Sequence, residues 1–191
     1  MKLLKKIKAW WRWNGKYYHK DFANGVKNLW RWFPTIWKDR DHDGTFIYDI
    51  LAKKLEFQAK YIGDRDRHTS AKRDAELMRL VVKLIQLQKE DFYDAEFMDY
   101  HETDYHFTPT DETEKWYSLN DTLISERFDE YFKKYPRQYK KVLSGEINRY
   151  NRLIEEKDKK LIAMEIAYEN HERSRELIFK IISHNIERWW D

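Results

Sequence analysis

The sequence predicts an all-α fold, an antiparallel bundle of five or six helices, on three observations. Five Gly and three Pro in 191 residues leave few positions for the tight turns of a sheet. Long stretches rich in Lys, Glu, Leu and Ile carry apolar residues at steps of three and four. Aromatic residues make up 17% of the chain and charged residues 37%, so large rings are available for burial while helix exteriors stay solvated. A chain of this length reads as one main domain able to bury a core without cross-links. With no cysteine, disulfides, thiolate nucleophiles and Cys-based zinc sites are excluded.

The first helix is expected to end near Phe33, because Pro34 disfavours helical geometry in the residue before it. Trp37 to Gly44 reads as a turn. A second helix, about Thr45 to Ile62, follows from the spacing of Phe46, Ile47, Ile50, Leu51, Leu55 and Ile62, with Gly63 as its stop signal. After a charged connection from Asp64 to His68, Thr69 or Ser70 can cap a longer helix running to about His101, whose centre is apolar on more than one side. Residues 102–118 are polar and include Pro109, which reads as a long loop. Asn120 or Asp121 then caps a helix that ends by Tyr135, and Pro136 opens another running through Tyr139, Val142, Leu143 and Ile147. From about Tyr150 to Trp190 the pattern is helical again, long enough to expect a kink, a break or a coiled-coil-like partner.

Residues 1–20 stand apart from the 21–191 bundle as a basic aromatic segment. Lys2, Lys5, Lys6, Lys8, Arg12, Lys16 and Lys20 precede the first acid, Asp21, so the remainder is net acidic although the whole chain carries +3. That asymmetry excludes a nucleic-acid footprint over the whole domain. The lysines interrupt every hydrophobic run, so no membrane span is expected. Leu3, Leu4, Ile7, Trp10 and Trp11 share one helical face, which suits core packing, a partner, a phosphate backbone or an anionic surface.

Within the last helical stretch, Tyr168 to Arg175 contains no aliphatic side chain. Steps of three and four from Leu161 land on Met164, Tyr168, His171, Arg175, Ile178, Ile182, Asn185 and Trp189, which puts a His and an Arg on the expected core stripe. Such groups are costly to bury unless paired or ligated, although a solvated salt-bridge patch explains the same run. A second cluster, Asp64-Arg65-Asp66-Arg67-His68 with Lys72, Arg73 and Asp74, opens the long helix, where free backbone N–H groups favour an anion.

Metal chemistry is weakly signalled. Asp39-Arg40-Asp41-His42-Asp43-Gly44 resembles the start of a calcium loop, but Ile50 stands where the bidentate Glu belongs. Asp91, Asp94 and His101 share one stripe and Glu165, Glu169 and Glu172 another, yet no Glu-x-x-His pair completes a dimetal site. Nucleophile elbows and phosphate-cradling Gly-rich loops are absent from the sequence.

Trp37-Lys38-Asp39-Arg40-Asp41, Arg73-Asp74-Ala75-Glu76, Asp99-Tyr100-His101, Phe128 to Pro136, His171-Glu172-Arg173 and Ile186 to Asp191 together resemble an uncharacterised family of small helical proteins encoded by tailed bacteriophages. The resemblance spans most of the chain from Trp30 onward, with departures at His42 and Ser174. It implies a setting in the infected host cytoplasm or in a virion, and it implies no activity.

The reading that joins these features is a non-catalytic accessory protein that sequesters a small anionic ligand, above all a nucleotide immune signal. Arg40, Arg65, His68, Arg73, His101, His171, Arg173, Arg188 and Trp189 would supply phosphate donors and a stacking ring, with no cofactor and no metal. A homo-oligomer is compatible with it. The alternatives are a virion-associated or DNA- or protein-interaction protein acting through residues 2–20, and a metal-assisted hydrolase built on Asp91, Asp94, His101 and the glutamate stripe.

Overall fold

The computed structural model describes residues 2–40, 44–65, 68–110, 115–149 and 151–190. It is mostly helical, with eight α-helices and one two-stranded antiparallel sheet among the described residues. Two compact units divide the chain at Leu51/Ala52.

The first unit, Met1–Leu51, holds α1 (Lys2–Trp10), a π-helical turn (Trp11–Gly15), α2 (Lys16–Ile36) and the first turns of α3 (Phe46–Gly63). Contrary to the expected stop at Phe33, α2 runs through Pro34 and closes at Ile36. The proline lies in the last turn, so only one ladder bond is forgone before the helix ends.

In the second unit, Ala52–Asp191, Gly63 ends α3 where a Cβ would come within 3.0 Å of the Ala75 methyl. There α3 closely approaches α4 (Ala71–Lys89). The helix expected to reach His101 breaks at Asp91, which adopts left-handed geometry (φ 47°), and resumes as α5 (Phe92–Met98). Asp is among the few residues that tolerate this conformation, which lets the chain turn without a glycine.

The expected polar loop at 102–118 is instead largely the first arm of a hairpin, β1 (His101–Pro109) paired with β2 (Tyr117–Glu126). Its register sets Phe107 opposite Leu119 and Thr103 opposite Leu123, with a bulge between Glu102 and Thr103. One face of β1 therefore carries Thr103, Tyr105 and Phe107 in strict alternation, a period of two that favours a strand. On the opposite face, Asn120 Nδ2 donates to Thr108 Oγ1 at 2.6 Å. Asn120 and Asp121 thus sit in β2 and cap no helix. At the start of α6 (Phe128–Lys134) Arg127 holds the N-cap position without a side-chain bond, and Glu126 before it accepts the Phe128 amide on Oε2 at 2.9 Å.

Pro136 opens α7 (Pro136–Leu143) as expected, and Gly145 at φ +78° ends that path before Ile147. The final helix, α8 (Lys159–Asn185), starts later than expected but stays unbroken for 27 residues, followed by a 3₁₀ turn (Ile186–Trp190). It packs against α4, α5, α6 and α7.

The core combines Phe97, Phe128, Tyr131, Phe132 and Val142 with Ile162, Ala163, Ile166 and Ala167 of α8. Phe97 and Phe128 stack at 6.0 Å, and Phe132 stacks on Tyr139 at 4.6 Å. Phe128→Ala should cost about 3–5 kcal/mol, read as a lowered urea midpoint at an unchanged slope.

Tyr131 is fully buried and its hydroxyl has no partner. Burial, reinforced by the Glu96 carboxylate, pushes its phenol well above the ordinary value, and burial with the Glu96 hydrogen bond does the same at Tyr135. Both hold their protons more tightly when folded, so this stability is complete below about pH 10 and is lost as the pH rises beyond it. Tyr131→Phe removes an orphan hydroxyl. It should be neutral or stabilising by about 1 kcal/mol at pH 7 and should flatten the alkaline fall in urea midpoint.

Candidate functional site

The polar run Tyr168 to Arg175 lies in the middle of α8 without interrupting it. The buried stripe is offset by one residue from the expected one and passes through Ala163, Ala167, Asn170, Ser174, Ile178 and Asn185. His171 and Arg175 therefore do not form its centre. His171 is half-buried, edge-on to Tyr93 with ring centroids 6.3 Å apart, and Arg175 is exposed and paired with Glu172. Asn170 and Ser174, four residues apart, take the inward positions because their short side chains allow neighbouring helices to approach. Gln88 of α4 donates to the His171 carbonyl at 2.8 Å, and Gln138 of α7 donates to Asn170 Oδ1 at 3.1 Å.

These contacts leave two donors without partners, Asn170 Nδ2 and Ser174 Oγ, on residues only 9% and 5% exposed. Both residues line a cleft of about 490 Å³ bounded by Leu84 of α4, Tyr93 of α5, Tyr135 and, along α8, Arg173, Glu176, Leu177 and Lys180. Arg173 is more than half exposed, with Glu169 Oε1 3.9 Å from its Nε. The Tyr135 hydroxyl donates to Glu96 Oε2 at 2.6 Å, while Lys134 pairs with the other oxygen of this buried carboxylate. That hydrogen bond raises the Lys134 ammonium above its ordinary value. The cleft thus offers two rim cations, one rim acid, two buried donors and aromatic and aliphatic walls, a combination suited to a ring-bearing anion.

The other expected site residues are dispersed. Arg40 lies in the first unit, exposed and bonded to the Asp39 carbonyl at 2.9 Å. Asp41, His42 and Asp43 of the calcium-loop pattern lie outside the described residues, as do Asp66 and Arg67. Arg65 stacks over the Tyr61 ring at 4.8 Å, and Arg73 is exposed beside buried Asp74 at 3.4 Å. His68 is half-buried with an unpartnered Nε2. Arg188 bonds Asn185 Oδ1. Trp189 is buried, its indole N–H has no partner, and its carbonyl accepts from Gln58 of α3.

His101 lies between Phe97 and Phe128, with centroids at 4.7 and 5.3 Å, and borders a separate cleft of about 810 Å³ with Leu161 and Met164. Met164 and Trp189 are separated by 25 residues of α8 and its 3₁₀ extension, roughly 37 Å of rise. No single pocket can hold His101, His171 and Trp189 together. His171 and Arg173 share one turn of α8, and Arg188 and Trp189 share the 3₁₀ turn at its far end.

In the larger cleft, Lys159 bridges Glu126 and Asp129 at 3.0 Å each, and Lys160 pairs with Asp121. The lysine holds the Asp121 carboxyl below its ordinary value, and the two acids hold Lys159 above its own. These cations tie the hairpin to the start of α8 and are already neutralised. Among the described residues, no three His, Asp or Glu side chains gather in a way that could hold a metal ion.

Asn170 and Ser174 belong to the Tyr168–Arg175 run but were not among the expected ligand residues, and Lys180, Tyr93 and Tyr135 were not foreseen. The available signal was two small polar residues four apart inside a run without aliphatics. Glu96→Ala should cost about 1–3 kcal/mol by stranding the Tyr135 hydroxyl and Lys134, whereas Ser174→Ala, which removes an unpartnered hydroxyl, should be neutral or stabilising by about 1 kcal/mol; chemical denaturation checks both. Comparison with protein-family models, with curated proteins and with solved structures finds no match to this chain.

Proposed function

We propose that the 52–191 unit is a non-catalytic binding protein that captures a small anionic, ring-bearing ligand, most simply a nucleotide, in the α8 cleft and withholds it from other proteins. The observation that carries this reading is the pair of buried, unpartnered donors on Asn170 and Ser174. Each orphan donor costs about 1–3 kcal/mol, a cost that a ligand acceptor removes on binding. Arg173 and Lys180 at the rim meet the anionic part, and Glu176 between them discourages very highly charged ligands. Tyr93, Leu84 and Leu177 provide aromatic and aliphatic walls against which a ring can pack. The motif resemblance to phage proteins implies only the setting, an infected cell, and in that setting the nucleotide we propose is an immune signal that the phage gains by sequestering.

The test is mass spectrometry of small molecules released by denaturing the purified full-length chain, followed by calorimetric titration with the nucleotide recovered. Stoichiometric release of an unaltered phosphorylated compound is expected. Arg173→Ala combined with Lys180→Ala should weaken its binding by about tenfold or more without lowering the urea midpoint. Chemical conversion of the compound would overturn the non-catalytic reading. A chain that releases nothing and takes up no nucleotide would overturn the site.

A further inference from the structure

The first unit displays what the second hides. Leu3, Leu4, Ile7 and Trp10 of α1 and Trp11 of the π-helical turn that follows it recur at helical spacing and are all exposed, with Leu3 at 72% and Trp11 at 64%. Along α2, Tyr18, Phe22, Leu29, Phe33 and Ile36 recur at helical spacing and are also exposed. Trp30 and Trp37 flank this stripe, each within 6.4 Å of the Phe33 ring. Over Lys2–Ile36 the sequence carries nine Lys and Arg against the single Asp21. In α1 the lysines at 5, 6 and 8 project away from the apolar face, and Lys20 and Lys27 do so in α2.

We propose that α1 and α2 form an in-plane anchor for an anionic lipid surface. The partner must be negatively charged to match nine cations and must also accept aliphatic side chains. A bilayer rich in acidic headgroups satisfies both demands: the stripe enters the headgroup–acyl boundary while lysines extend along it to the phosphates. Tryptophan favours that boundary, and six of the nine Trp lie between residues 10 and 37.

A nucleic acid would neutralise the cations but leave Leu3, Leu4, Ile7, Leu29 and Ile36 in water. A second copy would bring together two strongly positive surfaces. A groove on an acidic protein holds a single helix, whereas α1 and α2 together present roughly 45 Å of helix. No helix among the described residues is long and apolar enough to cross a membrane, so the geometry is that of lying on the surface.

The test is flotation of the full chain with vesicles of phosphatidylcholine alone or mixed with phosphatidylglycerol, read with tryptophan emission. Binding and a blue shift are expected only with the anionic vesicles, weakening with added salt. Replacing Lys5, Lys6 and Lys8 together by Gln should weaken partitioning about 100-fold, at roughly one charge's worth of attraction per lysine. The variant Leu4→Gln, Ile7→Gln, Trp11→Gln keeps every charge and should lose about as much, provided circular dichroism shows an unchanged helix content. No binding to anionic vesicles overturns the proposal. So does binding to an oligonucleotide that the apolar-face variant retains, or concentration-dependent self-association in sedimentation that covers the stripe.

Discussion

The second unit depends on one long helix being buried along its length. Ile162, Ile166 and Ile178 of α8 are wholly excluded from solvent, and α4, α5, α6 and α7 all pack on that helix. An unbroken helix has a single inward stripe, so whatever residues fall on it must be accommodated, polar or not. Between the apolar turns these are Asn170 and Ser174. Their small size lets the neighbouring helices close, yet their donors are incompletely satisfied. The constraint that organises the fold thus also creates its most unusual chemical feature.

Charge is distributed according to the same logic. Several cations of the second unit are committed to structure: Lys134 serves buried Glu96, and Lys159 and Lys160 strap the hairpin to α8. Arg149 lies over the Tyr168 ring at 3.6 Å, and its amide donates to buried Glu165 at 3.2 Å, securing the segment before α8. In the first unit the balance reverses. Between Lys2 and Ile36 cations greatly outnumber the single acid, and rings of the kind buried around Phe128 are presented to solvent. Composition alone does not separate these two uses of aromatic residues. What separates them is whether the chain supplies an apolar surface to cover them.

Much of the helical layout was legible. The spacing in 45–62 matched α3 to within a residue, Pro136 separated α6 from α7, and the absence of an apolar run long enough to span a membrane holds for every described helix. The hairpin was missed because the polarity of 102–118 outweighed the alternation of Thr103, Tyr105 and Phe107, a pattern only five residues long. Its stabilising partners, Leu119 and Leu123, lie beyond the chain reversal, so no local window contains the pair. The break at Asp91 was missed for a related reason, since Asp is an ordinary helix-surface residue until packing selects its left-handed conformation.

For the site, the sequence located the segment and erred on the face. The lack of aliphatics in 168–175 correctly marked α8's polar interruption, but a stripe counted from Leu161 instead of Ala163 assigned His171 and Arg175 to positions held by Asn170 and Ser174. Helical period alone allows either phase, because both stripes coincide at Ile178 and Asn185 and differ only above them. By itself the sequence determined the mostly helical character, the absence of thiol chemistry and the concentration of positive charge near residue 1, since these follow from composition and local spacing. Only tertiary structure decided which polar groups turn inward and that the expected ligand residues scatter along tens of ångströms. Burial is a property of the surfaces that meet, and those surfaces come from segments far apart in the chain.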